Sequence, residues 1–248
     1  MTTANLAGRR ALVTGGSRGI GAEIVRRLAA DGAAVAFAYG ASAAEAEKLA
    51  AEVAGGGGTA VAIHADSADP QQVASAIDDT VSNLGGLDIL VNNAGVAYLG
   101  DIESYPMEEF DRLVAVNIRG VFAAIQRAVP HLGTGGRIVT IGSINGDRVP
   151  RPGVAVYAMT KAAVAGLTRG LARDLGPRGI TVNVIQPGPT ATDMNPEAGD
   201  FADAVRPYIA LGHYGHPRDI ASAVSYLAGR EAGFITGTTW NVDGGFGA

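Results

Sequence analysis

The chain has 248 residues, 47% of them apolar and 17% charged, with 36 glycines and 11 prolines, a composition that fits a folded α/β chain and excludes a disordered one. Its 19 Lys and Arg against 24 Asp and Glu give a net charge of -5, so no basic footprint exists for a nucleic-acid polymer or an anionic membrane. There is no cysteine, which excludes disulfides, thiolate catalysis and cysteine-held metals and fits a reducing compartment.

From the start of the chain, short β-rich runs alternate with longer helical patterns. That alternation predicts a single-domain, doubly wound α/β Rossmann fold over residues 1–248, with a seven-stranded parallel sheet flanked by helices. Residues 1–10 lack the apolar core of a signal peptide. No apolar run approaches the roughly 20 residues of a membrane helix, and the expected location is the cytoplasm. Strands are expected at 10–14, 34–39, 60–64, 87–92, 137–141, 181–185 and 238–242. Ile20, Ile24 and Leu28 recur at helical spacing between the first two, and Gly32 is a natural stop. The glycine run 55–58 reads as a flexible turn. His64, His131, His213 and His216 show no helical metal-ligand spacing, so no catalytic metal is expected. The irregular interval after the sixth strand, about 189–215, is expected to form a loop over the substrate.

Thr14-Gly15-Gly16-Ser17-Arg18-Gly19-Ile20-Gly21 follows the first strand and opens the first helix. Backbone amides there, with the helix dipole, can hold a pyrophosphate, and glycine allows the close approach. The spacing departs slightly from the commonest dinucleotide fingerprint, and a tight strand-to-helix turn is the structural alternative. Tyr157 and Lys161 stand at i and i+4 on one helix face. A free tyrosine has a pKa near ~10, and a neighbouring ammonium favours the phenolate, so Lys161 is expected to lower it. In isolation the pair also reads as a half-buried aromatic beside a solvated lysine. Ser143 follows a strand that should end on the ligand-binding edge of the sheet, where a hydroxyl can orient a substrate oxygen.

Taken together these residues resemble the short-chain dehydrogenase/reductase family, including its 3-oxoacyl-thioester reductases. The family's Thr-Gly-x-x-x-Gly-x-Gly motif stands at Thr14 to Gly21, and Asn92-Asn93-Ala94-Gly95 follows the fourth strand. Asn117 lies in the next helix, Ser143 follows the fifth strand, Tyr157-x-x-x-Lys161 opens the following helix, and Pro187-Gly188 follows the sixth strand. The resemblance covers essentially the whole chain. It implies a nicotinamide-dependent oxidoreductase acting on a small carbonyl or alcohol, with catalytic residues Asn117, Ser143, Tyr157 and Lys161. Hydride would pass to the carbonyl carbon while Tyr157 gives the oxygen a proton and Ser143 holds that oxygen. Lys161 would also bind the nicotinamide ribose. Asn117 would hold a water linking Lys161 to solvent, although it can instead satisfy backbone groups at a helix irregularity.

The resemblance implies cofactor contacts along Gly15, Ser17, Arg18, Gly19, Ile20 and Gly21. Others follow at Tyr39, Gly40 and Ser42, at Asp66 and Ser67, at Asn93, Ala94 and Gly95, at Tyr157 and Lys161, and at Pro187, Gly188, Thr190 and Thr192. Asp66 would accept from the adenine amino group, yet Asp66-Ser67 can equally be a helix-start cap. Asn93 to Gly95 would pass beneath the adenosine ribose and support the central strand, while a turn alone also explains them. Thr190 and Thr192 would meet the nicotinamide amide and phosphates, or serve local turns. NAD-preferring folds place an acid at the end of the second strand, and Phe37-Ala38-Tyr39-Gly40-Ala41-Ser42 has none. Arg18 and Ser42 can take a 2'-phosphate, which favours NADP(H) over NAD(H).

The stretches Gly142-Ser143-Ile144-Asn145-Gly146-Asp147-Arg148 and Gln186-Pro187-Gly188-Pro189, with the tail Asp243-Gly244-Gly245-Phe246-Gly247-Ala248, resemble a subgroup of the family in which cyclic-di-GMP binding occurs. A cyclic-di-GMP-binding regulator on the same fold is therefore the alternative function, and the complete catalytic set argues for the enzyme. Gln186 replaces the small residue common before Pro-Gly, and either lines a pocket or packs. The family also implies a homotetramer, or a homodimer, through helices near 108–129 and 155–175 and through the C-terminal strand.

Overall fold

A computed structural model describes residues 5–248; the part of the signal-peptide expectation that concerns residues 1–4 lies outside them. Among the described residues seven strands form: β1 (Arg10–Val13), β2 (Ala34–Tyr39), β3 (Thr59–His64), β4 (Ile89–Asn92), β5 (Arg137–Ile141), β6 (Thr181–Pro187) and β7 (Thr239–Val242). All pairings are parallel, in the order β3-β2-β1-β4-β5-β6-β7. This is the expected doubly wound sheet. β4 opens at Ile89 rather than 87, and β6 runs on to Pro187.

Successive strand residues go to opposite faces. Leu12, Leu90 and Ile138 enter one core, and Val13, Val91 and Val139 enter the other. Both faces are covered, which is why the central strands read as unbroken apolar runs. The connecting helices are α1 (Gly19–Ala30), α2 (Ala43–Gly55), α3 (Pro70–Leu84), α4 (Met107–Val114), α5 (Val121–Ala128), α6 (Ala155–Leu175), α7 (Asp200–Val205) and α8 (Pro217–Ala228). α1, α2 and α8 supply Leu28, Leu49 and Val224 to one core, while α3, α5 and α6 supply Ile77, Ile125 and Val164 to the other. α1 stops as expected, with Asp31 at its C-cap and Gly32 at φ 95°, a conformation that costs glycine least.

The helical run Met107–His131 differs from expectation in two ways. It is broken by a π turn at Ala115–Gly120. By length and composition it also passes as a membrane span, with mean hydropathy 1.2, contrary to the reading that no such run exists. Here 44% of that window is buried, and α5 lies against α3 and β4 as a covering helix of the sheet.

Strand order reverses between β1 and β4. Open α/β sheets bind ligands in the crevice beyond the strand ends at such a point. The turns after β1, β4, β5 and β6 all open onto that edge, and they carry the glycine loop, Asn93 to Gly95, Ser143 and Pro187-Gly188.

Candidate active site

Close packing explains the glycines after β1. Gly15 has φ 61°, and a Cβ there would lie 2.9 Å from Ala94 Cα. A Cβ on Gly21 would meet Gly15 O at 2.1 Å and Asn93 Nδ2 at 2.5 Å. Thr14 Oγ1 accepts from the N–H groups of Asn93 and Ala94, both at 3.0 Å, and Asn93 Nδ2 donates to Thr14 O at 3.0 Å and Gly15 O at 2.8 Å. Asn93 and Ala94 therefore tie the ends of β1 and β4 together. Arg18 occupies the N-cap of α1 without a side-chain cap bond, and the first turn has no acid. The leading N–H groups of α1 are left for an anion. Ser17 is half-buried, and Ile20 packs on the core beneath.

The end of β2 is open. Tyr39 packs edge-on against His64 with ring centroids 5.5 Å apart, Gly40 is exposed, and Ser42 stands at the N-cap of α2 with no side-chain bond. Arg18 is exposed, and among the described residues no carboxylate pairs with it. A hydroxyl and a guanidinium are thus uncommitted where a ribose phosphate would need them. Asp66 does not cap the next helix. Its Oδ1 accepts from Ala68 N at 2.9 Å within a turn, while Asp69 caps α3 by accepting from the N–H groups of Gln71 and Gln72 at 2.8 and 3.3 Å. The Gln72 side-chain bond and these backbone bonds hold the Asp69 carboxyl below its ordinary range. Ser67 presses on the π turn, since a Cβ on Gly120 would lie 2.2 Å from Ser67 O.

Ser143, Tyr157 and Lys161 meet beyond β5. Ser143 is buried and opens a short turn, Ile144–Gly146, where its Oγ accepts from Asn145 N at 3.2 Å. Tyr157 lies in the first turn of α6. Lys161 is 6% exposed, donates to Ile141 O at 3.1 Å, and holds Nζ 5.7 Å from the centre of the Tyr157 ring. A Cβ on Gly95 would lie 3.4 Å from Lys161 Nζ and 3.5 Å from Asn117 Oδ1, which brings the turn after β4 against the same group.

Asn117 sits in the π turn and is buried. Its Oδ1 accepts from Val96 N at 2.9 Å, and its Nδ2 donates to Val96 O at 2.9 Å and to Thr160 Oγ1 at 3.1 Å. Thr160 Oγ1 donates in turn to Tyr157 O at 2.7 Å. Asn117 thus satisfies a backbone segment at a helix irregularity. Thr160, fully buried, carries that order to Tyr157; no local pattern in the sequence singled it out.

The electrostatics correct the sequence reading of the pair. Burial pushes the Tyr157 phenol above its ordinary value, only partly offset by the Ser143 hydroxyl. Burial also lowers Lys161 to about 8. Helical spacing does place the two together, but Lys161 is buried and Tyr157 half-buried, and desolvation disfavours the charged form of each.

Beyond β6, Gly188 is required by packing, since a Cβ there would lie 2.6 Å from Asp243 Cα. Pro187 ends the strand and is buried. Thr190 Oγ1 donates to Gly188 O at 3.0 Å and Thr192 Oγ1 accepts from Asn195 N at 3.2 Å, so both serve turns. Thr192 also reaches the glycine loop, its Cγ2 lying 3.6 Å from where a Cβ on Gly19 would stand. Gln186 packs rather than lining an open pocket: it is 0% exposed, and both its amide atoms lack a partner. The segment 189–215 contains α7 and leaves Met194, Phe201 and Tyr208 exposed.

A doubly wound sheet with this cradle and this Ser-Tyr-Lys cluster at its switch point defines a nicotinamide-dependent oxidoreductase. The family model described as Enoyl-(Acyl carrier protein) reductase matches residues 15–247, and the chain belongs to the short-chain dehydrogenase/reductase family, whose members act on alcohol and carbonyl groups. It is 46% identical, over 97% of this chain and 98% of the relative, to the Cyclic-di-GMP-binding biofilm dispersal mediator protein of Escherichia coli. Among solved structures it resembles a short-chain dehydrogenase/reductase from Serratia marcescens, with 56% identity, TM-score 0.97 and coverage of 98% and 100% of the two chains. A short-chain dehydrogenase from Burkholderia cenocepacia in complex with NADP gives 52% identity, TM-score 0.97 and the same coverage.

Proposed function

We propose that the protein is an NADPH-dependent carbonyl reductase, and an alcohol dehydrogenase in the reverse direction. The observation that carries this reading is the convergence of Ser143, Tyr157 and Lys161 beyond β5, beside an uncapped helix N-terminus suited to a pyrophosphate. The bound nicotinamide supplies the hydride. Ser143 holds the substrate oxygen, and Tyr157, kept protonated by burial, donates to it. Lys161, lowered to about 8, binds the ribose and returns a proton to Tyr157 near neutral pH. Asn117 Oδ1 accepts once from Val96, and its second lone pair takes a water on the Lys161 side.

Arg18 and Ser42 bind the 2'-phosphate, and the NADP complex of the Burkholderia relative supports that preference. The second carboxylate oxygen of Asp66 accepts from the adenine amino group, and Thr192 contacts the cofactor phosphates. The whole chain acts as one catalytic domain, with 189–215 as the substrate loop. Exposed Phe122 and Met159 on the long helices, and Phe234, Tyr226 and Trp240 around edge strand β7, support a homotetramer. The cysteine-free sequence supports a cytoplasmic location.

The name of the Escherichia coli relative favours a second reading, a cyclic-di-GMP-binding regulator. Both are tested by following NADPH and NADH oxidation over activated ketones and 3-oxoacyl thioesters, with cyclic-di-GMP titrated in parallel. The reductase reading predicts turnover preferring NADPH. No turnover on any carbonyl, together with tight cyclic-di-GMP binding, would replace it with the second reading.

A further inference from the structure

The C-terminal segment 243–247 touches both the Ser143 turn and the loop 189–215. Asp243 folds it back: its two carboxylate oxygens accept from Gly245 N at 3.0 Å and Gly247 N at 2.7 Å, and its carbonyl accepts from Phe246 N at 3.1 Å. Gly244 and Gly245 take φ of 61° and 79°, a conformation open to glycine. On the loop side, Leu211 N donates to Gly244 O at 3.0 Å, and a Cβ on Gly245 would lie 2.7 Å from Ala210 Cβ. Phe246, 5% exposed, fills a small core with Ile144, Ala202, Ile209 and Tyr214. That core is separate from the two that flank the sheet. On the catalytic side, Ile144 is the residue after Ser143, and a Cβ on Gly247 would lie 2.7 Å from Ile144 Cδ1. Arg148 closes the ring of contacts. Its N–H donates to Ile144 O at 2.9 Å, its guanidinium donates to Phe246 O, and its Cζ stands 5.5 Å from the centre of the Phe246 ring.

We propose that segment 243–247 is an internal strap that sets the Ser143 turn and the substrate loop in register, with Phe246 and Arg148 as positioning residues. Neither residue belongs to the cofactor cradle. Loosening the strap at Phe246 therefore acts on Ser143 and on the Ala202–Tyr214 part of the loop that packs with it, away from Thr190 and Thr192. Misplacing a positioned group by about an ångström lowers rates by up to ~100-fold, and a truncated Phe246 leaves a cavity under both partners at once.

The experiment compares wild type, Phe246→Ala, Phe246→Leu and Arg148→Gln by hydrogen exchange, NADPH titration and steady-state kinetics. Phe246→Ala should speed exchange in 143–148 and 200–214 together. It should lower kcat/KM by roughly tenfold or more, through both KM and kcat, with NADPH Kd within about twofold of wild type. Phe246→Leu, which refills most of the core, should recover most of the loss. Arg148→Gln should reproduce the exchange effect even if Phe246→Ala fails to fold. Faster exchange confined to 243–248, or an unchanged kcat/KM in a folded Phe246→Ala, would overturn the strap. The kinetic arm rests on the reductase reading; if wild type turns over no carbonyl, that reading fails on its own and the exchange data still decide the strap.

Discussion

Replacing Asn117 with alanine separates its structural role from any chemical one. The substitution deletes three hydrogen bonds, two to the main chain of Val96 and one to Thr160. Each bond contributes a net ~0.5–1.5 kcal/mol, and each buried group left unpaired costs ~1–3 kcal/mol. Val96 is half-buried, so water recovers part of that cost, and the expected loss of stability is about 2–4 kcal/mol. For a chain of this size that corresponds to a Tm fall of roughly 5–15 °C. Urea unfolding of the cofactor-free protein, wild type against Asn117→Ala at one protein concentration, measures it directly. The Val96 bonds also hold the turn that carries Gly95 against Lys161, so turnover should fall alongside stability. A loss of turnover with less than about 1 kcal/mol of destabilisation would refute the view that Asn117 braces this edge of the sheet.

Lys161→Met should change how stability depends on pH. The folded pKa of Lys161 is lowered to about 8 against roughly 10.4 unfolded, so between these values the unfolded chain binds the extra proton and stability rises with pH. Tyr157 works in the opposite sense above pH ~10, where the unfolded phenol ionises first. Thermal melts of wild type should therefore show a rise between about pH 8 and 10 that Lys161→Met lacks; parallel curves for the two proteins would count against the buried lysine. Removing both Arg18 and Ser42 side chains with alanine should weaken NADPH by roughly tenfold or more, as expected for charge-assisted bonds to phosphate, and leave NADH nearly unchanged; equal losses in a fluorescence titration would exclude the assigned phosphate site. Gly21→Ala should weaken both cofactors, because its Cβ would overlap Gly15 O, and isothermal titration that finds wild-type affinity for both would contradict that packing.

The sheet was legible because its signals are local: apolar runs such as Ile89-Leu90-Val91 and the glycine turn after the first strand depend on few distant residues. The cluster was legible for the same reason, since Tyr157 and Lys161 share one helix. What stayed hidden depends on contacts between distant segments. Thr160 becomes meaningful only when the π turn brings Asn117 to it, and the role of Gly95 only when Lys161 turns toward Ile141 O. Asp66 is a possible cap from its place after β3, yet Asp69 followed by Pro70 has the stronger geometry for starting α3. Helical spacing reports proximity and says nothing of burial, so it points to a lowered Tyr157 phenol where burial raises it.

The most direct test of the central claim is a single-turnover measurement with NADPH bound and an activated ketone mixed in, comparing wild type with Tyr157→Phe. Phenylalanine keeps the ring and its packing and removes only the proton donor. Wild type should oxidise NADPH and the variant should lose roughly 100-fold or more of that rate, with NADPH affinity preserved. Equal rates in the two proteins would contradict Tyr157 as the proton donor and, with it, the proposed mechanism.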